Sequence, residues 1–247
     1  MRSASHNLPG VFRLGLKPDT AGARFPLKLG AEGVHEICEH AHGDMGAISG
    51  FAIAAAQFGK GPIFWARQYA LRREHGRLLQ AGLSGLGVKT QRLFLHAETR
   101  RLADTLWVIE EAVRSSAFSA VIAEIEDIDF TSSRRLTLAA GRYGVPVILL
   151  LPWRREGSSA AAARWRVKPR PSASNPFDSR APGAFRWQVT LERSRIAPAL
   201  TGRVFNLELD DETLSLRVVS GMAANTPAAR TSPPLWKAIE QDFRRSA

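Results

Sequence analysis

The stretch AVIAEIEDIDFTSSRRLTLAAGRYGVPVILLL, residues 120–151, decides the fold class. It begins and ends with apolar runs, residues 120–125 and 147–151, whose length and composition are typical of buried parallel strands. Between them, Thr131 predicts the N-cap of a helix through residue 143, where Gly144 supplies a stop. Strand, helix and strand in this order imply a right-handed crossover between parallel strands. The stretch therefore predicts an α/β protein.

The same alternation of strands and helices continues toward the N-terminus. Strands are predicted over residues 34–38, 63–66 and 92–96, and helices over residues 51–58, 69–81 and 99–117. After Pro152 the pattern changes to four predicted antiparallel strands, residues 164–168, 185–192, 203–209 and 214–218. The expected architecture is a mostly parallel sheet flanked by helices, with a C-terminal antiparallel strand extension.

The length allows one large domain, or one domain with a smaller appendage. The 247 residues are expected to comprise an N-terminal arm (1–33), a folded domain (34–219) and a flexible C-terminal tail (220–247). The single cysteine, Cys38, excludes an intrachain disulfide, and no apolar run is long enough for a membrane span or a signal-peptide core. A cytoplasmic protein is predicted. The net charge of +11 favours a polyanionic partner such as nucleic acid.

A glycine-punctuated loop over residues 40–50 lies between the first strand and the first helix, where nucleotide phosphates bind in many α/β proteins. Its candidate phosphate-loop residues are Gly43, Asp44, Gly46, Ser49 and Gly50. The loop lacks the lysine that neutralises phosphate. The carboxylate of Asp44 would also repel a phosphate: at about 4 Å and an effective dielectric constant of about 20, the repulsion costs roughly 4 kcal/mol per charge pair. The sequence therefore predicts a degenerate loop that binds no cofactor.

Other candidate chemistry is sparse, and no catalytic or metal-ligating residue is predicted. A metal site can be imagined around His40 and His42, but solvated loop histidines are favoured because zinc-site spacing is absent. An acidic cluster, Glu124, Glu126, Asp127 and Asp129, follows a strand, and helix capping or surface exposure is its favoured role. Trp65 and Trp107 are expected in the core.

The C-terminal strands carry arginines interleaved with tryptophans, which predicts a possible DNA-binding platform. Aromatic rings stack on bases while cations neutralise phosphates. The alternative is a half-buried sheet with a solvated basic face, and the residues do not decide between the two. The candidates are Arg154, Arg155, Arg164, Trp165, Arg166, Lys168, Arg186, Trp187, Arg193 and Arg195.

The tail ends in a short apolar stripe at helical spacing, Leu235, Trp236, Ile239 and Phe243. Such a stripe is too brief to fold alone in water and suits docking into a partner's groove. Packing back on the chain's own sheet is the alternative, and it stays open.

Several blocks of the sequence resemble one family. They are FWARQ (64–68), LADTLWVIEEA (102–112), SSRRLTLAA (132–140), ARWRV (163–167) and NPFD (175–178). Taken together over residues 34–208, the chain resembles ImuA, a damage-inducible mutagenesis protein related to RecA. The resemblance implies a RecA-like fold and a non-catalytic accessory role in SOS-induced, error-prone translesion DNA synthesis. The implied partners are an ImuB-like polymerase-related protein, RecA and an error-prone DnaE-type polymerase.

The chain departs from active RecA at the positions that serve ATP. The phosphate-loop lysine is missing, Gln68 stands where RecA-like proteins carry a catalytic glutamate, and residues 150–152 occupy the region of a polar switch residue. These losses argue against the first alternative, a residual RecA-like DNA-dependent ATPase. The second alternative, a SulA-like cell-division inhibitor, matches less well because the chain is longer than such inhibitors.

Overall fold

The computed structural model describes residues 33–55, 61–78, 82, 94–175, 177–178, 180–210 and 215–219. Nearly all of the expected arm and the whole of the expected tail lie outside these residues, including the stripe from Leu235 to Phe243.

Nine described strands form a single sheet in the order β3-β2-β4-β5-β1-β6-β7-β8-β9. They are β1 (Val34–Glu39), β2 (Ile63–Gln68), β3 (Phe94–Thr99), β4 (Ala120–Glu124), β5 (Val147–Leu151), β6 (Ala163–Arg170), β7 (Arg186–Ser194), β8 (Val204–Asp210) and β9 (Ser215–Val218). The described α-helices are α1 (Met45–Ala55), α2 (Tyr69–His75), α3 (Leu102–Arg114) and α4 (Phe130–Tyr143), and a short 3-10 helix covers Pro198–Leu200.

The strands from β1 to β6 pair in parallel, and β6 to β9 pair antiparallel. The predicted α/β class, with a mostly parallel sheet and an antiparallel C-terminal extension, is confirmed. One detail differs: β6 is parallel to β1 and antiparallel to β7, so it joins both halves into one sheet.

The deciding stretch forms the predicted strand, helix and strand. Asp129, rather than Thr131, caps α4, because its carboxylate accepts a hydrogen bond from the backbone N–H of Ser132 at 2.6 Å. Gly144 ends the helix at φ 67°, in the left-handed region that suits glycine. The following strand, β5, is buried throughout and lies between β4 and β1.

Two hydrophobic cores lie on opposite faces of the sheet. One core joins α1 to the apolar side chains of β6–β9 and of several parallel strands, and the other joins α3 and α4 to the parallel strands. Trp65 is fully buried as expected, whereas Trp107 is 62% exposed, so its predicted core position is wrong. Within the described residues, no helix is long and apolar enough to cross a bilayer.

The helix after β1 begins earlier than predicted. It starts at Met45 and not at residue 51, so three of the five expected loop residues, Gly46, Ser49 and Gly50, are helical. The β1 strand is buried along its whole length and lies in the interior of the sheet, between β5 and β6.

Candidate functional site

The junction between β1 and α1 occupies the place of a phosphate loop but presents a carboxylate there. Asp44 directly precedes α1, and its backbone carbonyl accepts a hydrogen bond from the N–H of Ile48 at 3.0 Å. Its side chain accepts from the N–H of Ala41, also at 3.0 Å. A loop N–H that could face an anion is therefore already bonded to a carboxylate. Gly43 adopts φ 92°, which is the one left-handed turn in this loop.

A buried ion pair lies at the carboxyl ends of β2 and β4. Arg67 and Glu124 are opposite each other in the parallel register and bond directly, and Trp65 Nε1 donates to the same Glu124 oxygen at 2.8 Å. Arg67 also donates to the carbonyl of Gly76 at 2.9 Å, which connects the pair to the end of α2. Glu124 is 1% exposed, so the surface or capping role favoured for it is wrong.

The other members of the acidic cluster take separate positions. Asp129 caps α4, as the cluster's favoured capping role allows. Asp127 pairs with Arg155 at 3.0 Å, and the backbone N–H of Glu126 donates to the side-chain oxygen of Gln68 at 2.6 Å. Because Gln68 is buried and bonded to backbone, and because an amide is no general base, the residue is structural.

A second buried charge cluster connects β1 to the segment after β5. Glu36 is fully buried and pairs with Arg164 at 2.6 Å and with Arg155 at 3.4 Å. Both guanidinium groups are also buried, with 9% and 5% of their side chains exposed. These two arginines therefore hold the chain after β5 against β1, and as placed they are not free to contact DNA.

Glu39 ends β1 and accepts a hydrogen bond from the N–H of Trp153 at 3.3 Å. Burial raises the pKa of its carboxyl to about 6, and the nearby Asp44 carboxylate acts in the same direction. The histidines of the neighbouring loop behave as solvated residues: the side chain of His42 is 67% exposed and lies 3.5 Å from Glu74. No group of three or more candidate metal ligands occurs in the described part of the chain.

The predicted aromatic platform is wrong, because the tryptophans and the basic side chains lie on opposite faces of the sheet. Trp165 and Trp187 are 1% and 3% exposed and belong to the core under α1. Side chains alternate along a strand, so Arg164, Arg166 and Lys168 lie on the face opposite Trp165. The tryptophans therefore cannot stack on bases.

The opposite face of β6 and β7 is polar and only partly neutralised. Arg166 forms a two-pronged ion pair with Glu192, and Arg186 pairs with Glu208 at 2.6 Å. Lys168 has no carboxylate partner among the described residues. This arrangement is the half-buried sheet with a basic face that the sequence offered as the alternative.

Arginines that have no direct carboxylate partner within the described part of the chain lie at one end of this face. Arg193 and Arg195 both donate to the carbonyl of Ser159, at 2.8 and 3.4 Å. Burial lowers the pKa of Arg193, and the neighbouring guanidinium groups of Arg164 and Arg195 lower it further. Arg154 is exposed and lies over the ring of Trp153, 4.7 Å from its centroid. An anion is attracted to such a concentration of positive charge.

The fold and the junction define a class: a mostly parallel α/β protein whose phosphate-loop position lacks the groups that hold a phosphate. No protein-family model matches the chain. Over 146 residues the chain is 36% identical to Protein ImuA of Caulobacter vibrioides strain NA1000 / CB15N, and equally to Protein ImuA of strain ATCC 19089 / CIP 103742 / CB 15 of the same species. The alignment covers 55% of this chain and 56% of each relative, so it spans about half the length of the curated relatives. The similarity to ImuA that the sequence blocks predicted is confirmed.

Proposed function

We propose that this chain is a non-catalytic, ImuA-like accessory protein in SOS-induced, error-prone translesion DNA synthesis. It acts in the cytoplasm by contacting an ImuB-like polymerase-related protein, RecA and an error-prone DnaE-type polymerase. The similarity to ImuA supports the link to damage-induced mutagenesis.

The main support for a protein without ATPase activity comes from the residues at the junction between β1 and α1. Asp44 places a carboxylate where ATP would place phosphate, and no lysine occurs between residues 40 and 50. At the adjacent strand ends, the guanidinium group of Arg67 is bonded to the carboxylate of Glu124. Because this carboxylate is already paired with a cation, it is poorly suited to bind Mg²⁺. An ATPase role is disfavoured for the same reason.

Two measurements test this proposal together. Purified protein should show no ATP hydrolysis and no rise in melting temperature with Mg-ATP, whereas ligand at about 100 times its Kd would add about 2.7 kcal/mol. Deletion of the gene in its source organism should lower the frequency of mutations induced by ultraviolet light, and the intact gene should restore it. A deletion strain with normal induced mutagenesis would refute the function, and a clear Mg-ATP stabilisation would refute its non-catalytic form.

We further propose that DNA is contacted weakly, through the basic face and not through the tryptophans. The revised candidates are the exposed or half-buried cations that have no direct carboxylate partner among the residues the structure describes: Arg154, Lys168, Arg193 and Arg195. Each phosphate contact contributes about −0.9 to the slope of log K against log salt for duplex DNA. Lys168→Glu and Arg195→Glu should therefore each weaken binding and flatten the slope.

The control for this DNA experiment is Arg73→Glu, an exposed change of the same charge on α2. If DNA affinity falls equally in the control, the loss comes from the change in net charge and not from the basic face. DNA affinity that is unchanged in all three variants would refute the basic face.

The tail beyond residue 220 is proposed as a partner-binding segment through Leu235, Trp236, Ile239 and Phe243. Truncation after Ser220 should weaken binding of the ImuB-like protein or RecA and leave the melting temperature unchanged. Lost stability with unchanged binding would instead support packing of the stripe on the chain's own sheet.

A further inference from the structure

A cavity of about 520 Å³ lies beside α1, between this helix, the end of α2 and the adjoining ends of β6 and β7. Its volume is within the range of about 300–1,000 Å³ that is usual for ligand sites. Six apolar side chains line it: Met45, Ala47, Ile53, Leu78, Phe185 and Trp187. The wall can therefore accept an apolar or aromatic group.

Three buried polar atoms of residues that line this cavity have no hydrogen-bond partner among the described residues: Glu124 Oε2, Arg67 Nε and Arg170 Nε. Glu124 is 1% exposed and lines the cavity. Its Oε1 accepts from Trp65 and Arg67, but its Oε2 has no hydrogen-bond partner among the described residues. A buried acceptor left unsatisfied costs free energy. An N–H or O–H group of a bound molecule would remove that cost.

The rim of the cavity is positively charged. Arg77 is exposed, Arg170 is half-buried, and neither has a carboxylate partner in the described part of the chain. The Nε of Arg170 is buried and also lacks a hydrogen-bond partner. The third rim arginine, Arg186, is already neutralised by Glu208. Two uncompensated guanidinium groups favour an acidic occupant.

We propose that this cavity binds an acidic segment of a partner protein that inserts a tryptophan or tyrosine side chain. The ring lies against the apolar wall, its N–H or O–H donates to Glu124 Oε2, and flanking carboxylates pair with Arg77 and Arg170. The choice of a protein segment rests on the proposed accessory function. It is also favoured over a nucleotide because no lysine is among the described residues that line the cavity and because the carboxylate of Asp44 precedes α1.

A cavity-filling variant tests this proposal. Gly46 lines the cavity within α1, and a Cβ added there meets no atom within 4 Å, so Gly46→Leu adds an apolar side chain at the cavity wall whose Cβ has room. The matched control is Gly141→Leu in α4, where an added Cβ is equally unobstructed. Both variants replace a glycine within a helix. Because glycine is about 1 kcal/mol less favourable in a helix than alanine, neither replacement should weaken the helix itself. Melting curves should show that both fold.

The probe is a fluorescein-labelled peptide, Asp-Glu-Trp-Leu-Asp-Glu, followed by fluorescence anisotropy. It should bind the intact chain and Gly141→Leu alike, and Gly46→Leu should weaken binding by about tenfold or more, as expected for a blocked anchor. Arg77→Glu, just after α2, should weaken it as well, whereas Arg73→Glu, within α2 and outside the cavity wall, should not. Because Arg77 is exposed, its variant keeps the test valid if Gly46→Leu fails to fold.

Three results would overturn the proposal. They are no saturable binding by the intact chain, equal binding by Gly46→Leu and Gly141→Leu, and binding of labelled AMP in place of the peptide. The effect of gene deletion, compared with peptide binding, separates this proposal from the proposed function. If gene deletion lowers induced mutagenesis and the peptide does not bind, the cavity proposal alone fails; if deletion has no effect, the proposed function fails regardless of the peptide.

Discussion

The Glu36→Gln substitution should be strongly destabilising, because it leaves the buried guanidinium group of Arg164 without a counterion among the described residues and leaves Arg155 with only the exposed carboxylate of Asp127. Glu36 is fully buried, and Arg164 and Arg155 lie 2.6 and 3.4 Å from its carboxylate oxygens. Breaking a buried pair by removing one partner costs about 3–5 kcal/mol. For a domain of about 150–250 residues, each kcal/mol lowers Tm by about 2–4 °C, so we expect a decrease of roughly 6–20 °C.

The assay is urea unfolding followed by circular dichroism, with Glu192→Gln as the control. Glu192 pairs with Arg166 on the same face, but 31% of its side chain is exposed, so its loss should cost about 1 kcal/mol or less. The variant that replaces Glu36, Arg155 and Arg164 together by apolar residues should recover much of the stability. A loss below about 1 kcal/mol for Glu36→Gln would show that the guanidinium group of Arg164 does not depend on the Glu36 charge, and would refute the reasoning.

Three further predictions concern buried groups. Glu39→Gln should remove a pH dependence: the folded carboxyl has a pKa of about 6 against an ordinary 4.5, so its stabilising contribution is present below 4.5 and is lost as pH rises through 6. Between pH 4.5 and 6, the plot of Tm against pH should therefore be flatter for the variant than for the unchanged chain. The Tm of the variant near neutral pH should also be higher. Parallel plots of Tm against pH for the two proteins would contradict the burial of Glu39. Cys38 is fully buried and burial raises its pKa to about 12, so a thiol reagent should label it only in denaturant, and rapid labelling of the folded chain would be the opposite result. Trp165→Ala should cost about 3–5 kcal/mol of stability, whereas the former platform hypothesis required lower DNA affinity at unchanged stability.

The parallel α/β core was predictable because its signals are local. The apolar run of β5, the glycine at the end of α4 and the short crossover each act within a few residues, and the structure retains all of them. The start of α1 was missed since Gly46 and Gly50 weaken helix propensity, and packing against the sheet overrides that weakness.

The faces of two elements could have been read more fully from the sequence. Strict alternation places Arg164 and Trp165 on opposite faces of a strand, which by itself separates the basic side chains from the aromatic ones. On α3, Leu106 and Ile109 define the apolar stripe, and Trp107 lies about 100° away from Leu106, consistent with its 62% exposure.

The buried ion pairs could not have been read from the sequence. Glu36 and Arg155 are 119 residues apart along the chain, and Arg67 and Glu124 are 57 apart. Each pairing depends on the register between strands that are distant in sequence, which periodicity does not supply. The same holds for the cavity, whose wall comes from six separate elements: α1, α2, β2, β4, β6 and β7.

The most direct test of the central claim is affinity purification of the tagged chain from its source organism after DNA damage, read by mass spectrometry against an undamaged sample. The accessory function predicts damage-dependent enrichment of the ImuB-like protein, with RecA or the DnaE-type polymerase, and a loss of that enrichment on truncation after Ser220. Recovery of cell-division proteins in their place, or of none of the three mutagenesis partners under damage, would contradict the account.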